Sequence, residues 1–313
     1  MKVYVQRVYK KIQKCLNWLH YHVEIFLLHL IVVQKIPRHV AFIMDGNRRY
    51  AKDVGIPLAM GHVEGFQMMQ RIIRWLYLLQ VPEVTVYAFS IENFKRPQSE
   101  IAILFSLVRN AIHHIKRHEV DYKKYNTRVK VIGRLNMLPK DIKESIVDIE
   151  TKTKDNDGFR INIAVAYTSR DDIAGGIRSV CSEVQNNLLK SENISVKDIE
   201  RNMLTNNCSL PEILIRTSGE TRLSDFLLWE TSNSLLYFLP KYWPKVTLWD
   251  VIKIFIYFQR NSRYLHKNSG IEVKNIIDEK PYMKEAKKYI KDHNIIAREI
   301  YILDNFQRYI KIQ

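Results

Sequence analysis

The chain has 313 residues, 46% of them hydrophobic and 26% charged, which is typical of a folded globular protein and excludes disordered and fibrous classes. The formal net charge of +16 favours anionic partners, namely phosphorylated metabolites, an anionic membrane surface or nucleic acid. The three cysteines, Cys15, Cys181 and Cys208, have no paired spacing, which indicates a reducing compartment and argues against a disulfide framework or a zinc site.

Residues 1–36 are predicted to form a basic amphipathic arm. Lysine and arginine are frequent up to residue 14, and apolar residues then recur at helical spacing from Leu16 to Leu30. Polar residues interrupt this stripe too often for a membrane span, and no small-residue cleavage site of a signal peptide follows it. We therefore expect a helix that lies on a membrane surface. The alternative is a helix that docks on the protein's own core or on a partner.

From Pro37 to residue 265, short apolar runs alternate with helix-like stretches. This alternation predicts crossover units and a mostly parallel sheet that is covered by helices on both faces. The predicted strands are Val40–Met44, Val84–Phe89, Val129–Ile132, Ile161–Ala166, Ile213–Ile215 and Leu235–Leu239. The predicted helices are Val63–Gln80, Glu100–Asp121, Pro139–Lys152, Asp171–Lys190, Ser195–Thr205 and Leu248–Arg260. Residues 37–265 are therefore predicted to be one α/β domain, followed by a helical tail at 266–313.

The first predicted strand ends in a polar turn, Asp45-Gly46-Asn47-Arg48-Arg49. Gly46 suits a turn because glycine tolerates positive φ, and Asp45 and Asn47 are candidates to cap the helix that follows. One carboxylate, one amide and two guanidinium groups are thus expected at the carboxyl end of a buried strand, where open α/β sheets bind ligands. The alternative is an ordinary capped turn with solvated arginines.

Other predicted strands also end in polar residues: Ser90–Arg96 follows the second, Tyr167–Arg170 the fourth and Arg216–Ser224 the fifth. The carboxyl ends of parallel strands lie along one edge of a sheet, so these groups are expected to converge on one rim. Arginine binds phosphate oxygens two at a time, and hydroxyl groups add donors. The pattern predicts a site for at least two phosphate groups, with one Mg²⁺ held by Asp45 and phosphate oxygens.

Several common motifs are absent from the sequence. It has neither the G-x-x-x-x-G-K-[ST] loop of P-loop nucleotide enzymes nor a G-x-G-x-x-G turn after the first strand. His113, His114 and His118 have no catalytic glutamate between them and are interpreted as part of a solvated basic face. Asp171-Asp172 has no second acidic pair nearby, so the paired carboxylate clusters of trans-type prenyl synthases are missing.

Three segments resemble the signature blocks of cis-prenyltransferases, the long-chain polyprenyl diphosphate synthases: His39–Ala51, Tyr87–Arg96 and Ile213–Trp229. The resemblance runs from about Pro37 to Asn261, and within the family these motifs most resemble the catalytic subunit of eukaryotic dehydrodolichyl diphosphate synthase. It implies a sheet of six mostly parallel strands wrapped by helices, with an apolar tunnel that holds the growing isoprenoid.

The resemblance also implies a reaction. Isopentenyl diphosphate is added repeatedly onto an allylic, farnesyl-type diphosphate, and each step makes a cis double bond and releases a proton. The product would be the long-chain polyprenyl diphosphate from which dolichol for protein glycosylation is made.

The resemblance assigns roles to residues at the strand ends. Asp45 would bind Mg²⁺ and help to ionise the allylic diphosphate, which would be cradled by Gly46, Asn47, Arg48 and Arg49. Arg96 matches a family position near the same phosphate site.

The remaining family positions concern proton transfer, the second substrate and the tunnel. Positions linked to orientation and proton transfer match His62, Ser90 and Asn93. The isopentenyl diphosphate would be bound by Arg216, Arg222 and Ser224. Phe89 and Phe94 would line the tunnel, although plain core packing explains them equally well.

The sequence departs from the family pattern in several places. Leu58 stands where many members carry an arginine, and Leu235 stands where bacterial members carry a metal-binding glutamate. Glu230 follows Phe226-Leu227-Leu228-Trp229, where glutamine is usual. Self-sufficient homodimeric members end in an Arg-x-Gly motif, but the last residues here, Arg308–Gln313, contain none. We therefore expect dependence on an accessory subunit of the Nogo-B-receptor type, with a homodimer as the alternative.

Three classes of function are compatible with parts of the sequence. A catalytic subunit is favoured over a catalytically weak or non-catalytic scaffold of the same family, because accessory subunits typically lose the Asp-Gly-Asn turn that this chain keeps. A nucleic-acid-binding protein is disfavoured because the sequence has no RNP block, zinc-finger spacing or basic-aromatic stripe. The apolar product, the cysteine usage and the basic arm indicate peripheral attachment to the cytosolic face of the endoplasmic reticulum membrane.

Overall fold

The computed structural model of this chain describes residues 34–117 and 126–265, together with the single positions Val23 and Ile31. The amphipathic helix predicted within residues 1–36 and the helical tail predicted at 266–313 therefore fall almost wholly outside the described residues. From residue 34 onward the described residues belong to one compact unit, Gln34–Glu272. Within the described ranges, no helix is both long enough and apolar enough to cross a membrane.

The strands are β1 (His39–Ile43), β2 (Glu83–Ser90), β3 (Arg128–Ile132), β4 (Arg160–Tyr167), β5 (Ile213–Arg216) and β6 (Leu235–Phe238). They form one sheet in the order β3-β4-β2-β1-β5-β6, and every neighbouring pair is parallel. This confirms the predicted six-stranded sheet, and each predicted strand end agrees with the observed one to within a single residue.

The strand order reverses beside β1, and this reversal indicates where a ligand site is expected. After β1 the chain continues to β2, β3 and β4 on one side, and it then returns to β5 and β6 on the other side. Ligands of open α/β sheets bind beyond the carboxyl ends of the strands at such a switch point. The residues that follow β1 and β5 are therefore the first to consider.

The helices are α1 (Asn47–Val54), α2 (Leu58–Leu78), α3 (Gln98–Arg117), α4 (Lys140–Thr153), α5 (Ser169–Gln185), α6 (Val196–Arg201) and α7 (Leu248–Asn261). Their order agrees with the prediction, but several ends differ. α2 begins five residues before the predicted Val63, because the Pro57 carbonyl accepts from Met60 and Gly61. α5 stops before the predicted Lys190, because Asn187 takes a left-handed conformation with φ 58°.

A phenylalanine cluster lies beside the carboxyl end of β2. Phe89 is buried in the core that helices α3 and α4 form on this face of the sheet. The rings of Phe94 and Phe105 contact it, with centroids 4.9 and 5.7 Å from the Phe89 centroid. Neither Phe94 nor Phe105 is fully buried. The predicted tunnel residues Phe89 and Phe94 are thus in contact, next to the strand end that carries Ser90.

Candidate functional site

The turns that follow β1 and β5 are joined by hydrogen bonds through Thr217. The Asp45 N–H donates to Thr217 Oγ1 over 3.0 Å, and the same hydroxyl donates to the Asp45 carbonyl over 2.7 Å. The Trp243 N–H donates to that carbonyl as well, over 3.0 Å. The backbone of the turn is therefore fixed from two sides. We call the polar residues at the carboxyl ends of β1 and β5 the rim.

Arg216 lies at the centre of the rim. Its side chain is only 3% exposed, and its guanidinium donates to Asp45 Oδ2 over 2.8 Å and to Ser224 Oγ over 2.6 Å. Arg49 lies 3.5 Å from the same Asp45 oxygen. The planar guanidinium group of Arg216 binds two partners at once, which a lysine ammonium in the same place does less well. Arg216 thus holds Asp45 and Ser224 in one arrangement.

Gly46 gives the chain a conformation that other residues rarely adopt. Its φ is 104°, and a Cβ atom at this position would lie 2.9 Å from the Tyr242 ring and 3.0 Å from Ser218 Oγ. Gly46 is also the N-cap residue of α1, with no side-chain capping bond. The predicted capping of this helix by the Asp45 and Asn47 side chains is therefore wrong. Without such a cap, the first N–H groups of α1 are available to an anion.

The Asn47 side chain points at helix α2 rather than at the α1 terminus. Its Oδ1 is buried without a hydrogen-bond partner, and a Cβ atom on Gly65 would come within 2.2 Å of it. The Gly65 carbonyl also accepts from Trp243 Nε1 over 2.7 Å. Gly65 therefore makes the space in which Asn47 sits, and the sequence analysis did not identify it.

Glu220 brings two exposed arginines of the rim together. Its carboxylate accepts from Arg49 Nη1 over 2.9 Å, and its other oxygen contacts Arg222. The side chains of Arg49 and Arg222 are 44% and 65% exposed. Glu220 was not predicted as a site residue, although it lies in the predicted segment Arg216–Ser224.

A second group of residues forms around the buried carboxylate of Glu100 on α3. Arg96 donates to Glu100 Oε1 over 2.7 Å, His62 Nε2 lies 3.4 Å from the same oxygen, and Arg48 approaches the other oxygen at 3.8 Å. Burial is the main factor that lowers the pKa of His62, and Arg96 and Arg48 act in the same direction against Glu100. The imidazole is therefore neutral at pH 7, and its buried Nε2 has no hydrogen-bond partner. Glu100 was not identified from the sequence.

Ser90 and Asn93 cap the 3-10 helix Ile91–Lys95. The Ser90 N–H donates to Asn93 Oδ1 over 3.0 Å, and Ser90 Oγ accepts from the Glu92 N–H over 3.1 Å. The two predicted catalytic residues thus share one local structure, in which each side chain binds a backbone N–H.

Tyr87 connects β2 to the loop that carries Ser224. Its hydroxyl lies 3.0 Å from the Tyr167 carbonyl and 3.3 Å from the Ser224 carbonyl, and it can donate a hydrogen bond to either of them. Its ring stacks on Phe226 at 4.4 Å. Burial raises the pKa of Tyr87 to about 12, so the hydroxyl remains a donor at neutral pH. The sequence analysis did not identify Tyr87.

Backbone geometry in the loop after β5 is strained. Positive φ angles occur at Ser218, Ser224, Asp225 and Leu227, and each non-glycine residue in this region carries a conformational cost. Asp225 is held by the first turn of α5, because Arg170 donates to its carboxylate from the backbone N–H over 3.0 Å and from Nε over 2.9 Å. Arg170, in the polar group predicted after β4, thus supports the loop that contains Ser224.

Asp45 is the rim carboxylate that fits a metal ion. Within the described residues, no group of three or more His, Cys, Asp or Glu side chains could hold a metal on its own. Mg²⁺ is commonly bound by one or two carboxylates together with substrate phosphates and water. One carboxylate next to arginines fits that kind of shared site and does not fit a metal site made of protein ligands alone.

Comparisons with known proteins identify the family of this chain. Residues 43–266 match the family model for undecaprenyl diphosphate synthase. The chain is 41% identical over 244 residues to a mouse dehydrodolichyl diphosphate synthase complex subunit, and the match covers 78% of this chain and 73% of the relative. It is 37% identical to the tritrans,polycis-undecaprenyl-diphosphate synthase (geranylgeranyl-diphosphate specific) of Methanocaldococcus jannaschii, with 78% and 88% covered.

A solved structure shares the fold. The crystal structure of lavandulyl diphosphate synthase from Lavandula x intermedia, in complex with dimethylallyl diphosphate, superposes with a TM-score of 0.67 at 30% sequence identity. The match covers 71% of this chain and 95% of that one. The relatives and the solved structure that match this chain are thus all named for the synthesis of prenyl diphosphates.

Proposed function

Because this chain belongs to the cis-prenyltransferase family, it is a prenyltransferase, and we propose that it condenses isopentenyl diphosphate onto a farnesyl-type allylic diphosphate to make the polyprenyl precursor of dolichol. One observation carries the proposal most directly. Arg216 joins Asp45 to Ser224 at the switch point of the sheet, so the turns after β1 and β5 form one polar site. The reaction needs such a site, because two diphosphate groups must lie side by side while a bond forms between their carbon chains.

The allylic diphosphate is proposed to bind at the turn after β1. The N–H groups at the start of α1 and the guanidinium groups of Arg48 and Arg49 would donate to its oxygens. Gly46 and Asn47 would shape the cradle, since Gly46 lets the backbone approach the ligand and Asn47 fixes α1 against α2. Negative charge that develops on the departing diphosphate would be stabilised by donors that are already in place, which is the main source of catalytic power in such sites.

Mg²⁺ is proposed as the cofactor, with Asp45 as its protein ligand and phosphate oxygens as the other ligands. When bound, the ion would neutralise charge on the leaving diphosphate. Asp45 would then exchange part of its contact with Arg216 and Arg49 for the metal, which frees those guanidinium donors for phosphate oxygens.

Isopentenyl diphosphate is proposed to bind on the β5 side of the rim. Arg222 is exposed and its guanidinium contacts Glu220, so it can turn towards an incoming diphosphate. Ser224 would add a hydroxyl donor, and Arg216 would hold Ser224 in place. These residues bind the non-reacting end of the substrate, which fixes the distance between its double bond and the allylic carbon.

Proton removal and orientation are proposed to involve His62, Ser90 and Asn93. His62 is neutral because of its burial, so its imidazole can take up a proton, and its Nε2 lies 3.4 Å from the Glu100 carboxylate. Arg96 is held next to it by Glu100. Asn93 uses Oδ1 for the backbone of Ser90, which leaves its amide N–H groups available for a diphosphate oxygen.

The growing hydrocarbon is proposed to extend along the phenylalanine cluster. Phe89, Phe94 and Phe105 offer apolar surface that is not completely buried and that begins at the strand end next to Ser90. An isoprenoid chain gains about 0.8 kcal/mol for each buried methylene group, so such a surface would retain intermediates through successive additions.

An accessory subunit and a membrane surface are the proposed partners. The mouse relative, which is 41% identical to this chain, is named as a subunit of a complex. We infer that a Nogo-B-receptor-like subunit completes the active site, at the cytosolic face of the endoplasmic reticulum. The basic, apolar arm at residues 1–36 would bind that membrane peripherally.

The test is incorporation of radiolabelled isopentenyl diphosphate into organic-soluble product, with farnesyl diphosphate and Mg²⁺. Wild type and Asp45→Ala are compared, each with and without a candidate accessory subunit, and Asp53→Ala on α1 serves as a control for removal of a carboxylate outside the rim. We expect incorporation that requires Asp45, persists in the control and rises strongly with the accessory subunit.

Each of the other outcomes has a defined meaning. Full activity of the purified chain alone would support the proposed reaction and refute the dependence on a partner. Incorporation that is unaffected by Asp45→Ala would refute the assigned site. No incorporation under any condition would favour the scaffold alternative, with Leu58 as the first residue to restore to arginine.

A further inference from the structure

Positively charged residues are paired across two neighbouring strands at the amino-terminal edge of the sheet, opposite the rim. Arg128 at the start of β3 lies directly beside Arg160 at the start of β4, and Lys130 lies beside Asn162. Residues two apart on a strand point to the same face, so these four side chains share one face. Like charges directly opposite each other on neighbouring strands destabilise a sheet. The arrangement therefore calls for a compensating negative charge.

Few of the described residues neutralise these cations by direct contact. Within the described part of the chain, neither Arg128 nor Arg160 forms an ion pair, and the guanidinium of Arg160 reaches only the Asn207 carbonyl, at 3.5 Å. Lys130 Nζ donates to the Asn206 carbonyl over 2.6 Å. Carbonyl groups of this kind accept hydrogen bonds but do not neutralise charge.

The neighbouring carboxylate, Glu83, supplies one negative charge next to three cationic side chains and forms no ion pair with them among the described residues. Glu83 of β2 lies beside Arg160 in the sheet register, but its two oxygens accept from Asn162 Nδ2 over 2.6 Å and from Ser209 Oγ over 2.6 Å. Glu83 thereby fixes the side chain of Asn162, which is 3% exposed. The Asn162 side chain, which lies between Glu83 and the cationic residues, is thus held in one position.

These residues enclose a cavity of about 130 Å³, lined by Arg128, Lys130, Arg160, Asn162 and Asn207. A water molecule occupies about 30 Å³ in the liquid, so the cavity has room for a tetrahedral oxyanion. Its lining combines three cationic side chains with two amides and contains no carboxylate. We propose that this cavity binds a phosphate group, as a site separate from the rim.

The geometry accounts for the choice of ligand. Two guanidinium groups in register present paired donors that match the oxygens of a phosphate, and Lys130 adds an ammonium donor. The cavity lies at the amino ends of β3 and β4, and the rim lies at the carboxyl ends of β1 and β5, so one phosphate group cannot reach both. The phosphate can come from free phosphate or diphosphate, or from the headgroup of a phosphomonoester lipid.

Calorimetric titration of the full chain with inorganic phosphate, at constant ionic strength, tests the site. The cavity variant is Arg128→Gln/Arg160→Gln. Its control is Lys143→Gln/Lys197→Gln, which removes the same charge from two exposed positions outside the cavity. Loss of two guanidinium groups is expected to weaken phosphate binding at the cavity by at least about tenfold, while the control binds as wild type does. Circular dichroism of both variants verifies that they are folded.

Phosphate at the rim is distinguished by a third variant, Arg49→Gln/Arg222→Gln, which should keep the cavity-dependent binding and lose any binding at the rim. Flotation with vesicles that contain phosphatidic acid, compared with vesicles of equally charged phosphatidylglycerol, tests the lipid source. Binding of either free phosphate or phosphatidic acid that depends on Arg128 and Arg160 supports the proposal and identifies the source. Equal binding of both by the cavity variant and the lysine control would overturn it.

Discussion

Arg216 combines deep burial with two side-chain partners, which makes it the most informative single residue of the rim. Lysine in its place would keep the positive charge, but its single ammonium group could not hold Asp45 and Ser224 in the same geometry. We expect Arg216→Lys to lower kcat/KM for isopentenyl diphosphate by about 10- to 100-fold, since one charge-assisted hydrogen bond contributes about 1.5–3 kcal/mol. Steady-state kinetics with the partner present measure the effect.

A double-mutant cycle with Ser224→Ala identifies the interaction. If Arg216 acts by positioning Ser224, the effects of Arg216→Lys and Ser224→Ala should be less than additive, with a coupling energy above about 0.5 kcal/mol. Additive effects would show that the two residues act separately.

Glu230 predicts a pH dependence of stability. It is 6% exposed, its Oε1 accepts from Thr205 over 2.6 Å and its Oε2 has no partner. Burial, with a smaller effect of nearby Asp172, raises the pKa of Glu230. A carboxyl group with a raised pKa in the folded state gives its full contribution to stability below the unfolded-state pKa, about 4.3, and loses it as pH rises through the folded-state pKa.

Glu230→Gln should therefore be more stable than wild type at about pH 8, and the difference should shrink towards about pH 4, where both side chains are neutral. Urea unfolding at a series of pH values measures the free energy of unfolding. The exposed Glu192→Gln serves as the control and should show no such trend. A constant difference between Glu230→Gln and wild type at every pH would contradict the prediction.

At the scale of elements, the contact between α1 and α2 depends on glycine. An alanine methyl group at Gly65 would come within 2.2 Å of Asn47 Oδ1. We expect Gly65→Ala to destabilise the fold by about 1–3 kcal/mol, as overpacking does, and to reduce activity because Asn47 must move. Thermal unfolding and the incorporation assay measure the two effects.

Gly175 on α5 provides a matched control for this change. A Cβ atom there would meet nothing within 4 Å, so Gly175→Ala should stabilise the helix by about 0.5–1 kcal/mol and leave activity unchanged. If Gly65→Ala were as harmless as Gly175→Ala, the α1–α2 contact would not position Asn47.

The capped 3-10 helix after β2 allows a structural role of Asn93 to be separated from a catalytic one. Asn93→Ala removes the acceptor of the Ser90 N–H and should cost about 1 kcal/mol, as other caps do. Asn93→Asp keeps that acceptor and should restore stability. Aspartate has no amide donor and repels a diphosphate, so we expect kcat to remain about a hundredfold below wild type. Recovery of both stability and kcat in Asn93→Asp would mean that Asn93 acts only as a cap.

Site residues that lie at strand ends could be predicted from the sequence. Site residues whose contacts come from elements distant in the sequence could not. Asp45 and Arg216 follow apolar runs, so parallel pairing alone places them on one edge. Glu100 reaches His62 only because α2 and α3 lie side by side, and no local pattern identifies such a contact. The predicted cap of α1 was wrong for a related reason, because the space beside Gly65 draws the Asn47 side chain away from the helix terminus.

At the scale of the whole molecule, charge and the amphipathic arm should act together at a membrane. Residues 1–33 of the arm contain Lys2, Arg7, Lys10, Lys11 and Lys14 and one acidic residue, Glu24, so their removal lowers the formal net charge from +16 to +12. Each basic residue near an anionic surface contributes about 1 kcal/mol of attraction, which falls off within a Debye length. Deletion of residues 1–33 should therefore reduce sedimentation with anionic vesicles, and the vesicle binding of the full chain should weaken as salt rises.

A second variant separates the two contributions of the arm. Replacement of the five basic residues between Lys2 and Lys14 by glutamine keeps the apolar stripe from Leu16 to Leu30. If charge attracts the arm to the membrane and apolar burial retains it, the glutamine variant should bind neutral vesicles as wild type does but lose the preference for anionic vesicles. The deletion should lose both the binding to neutral vesicles and the preference for anionic ones. Sedimentation of all three proteins with both kinds of vesicle measures this. Equal binding by the deletion and the full chain would mean that membrane attachment comes from another part of the chain or from a partner subunit.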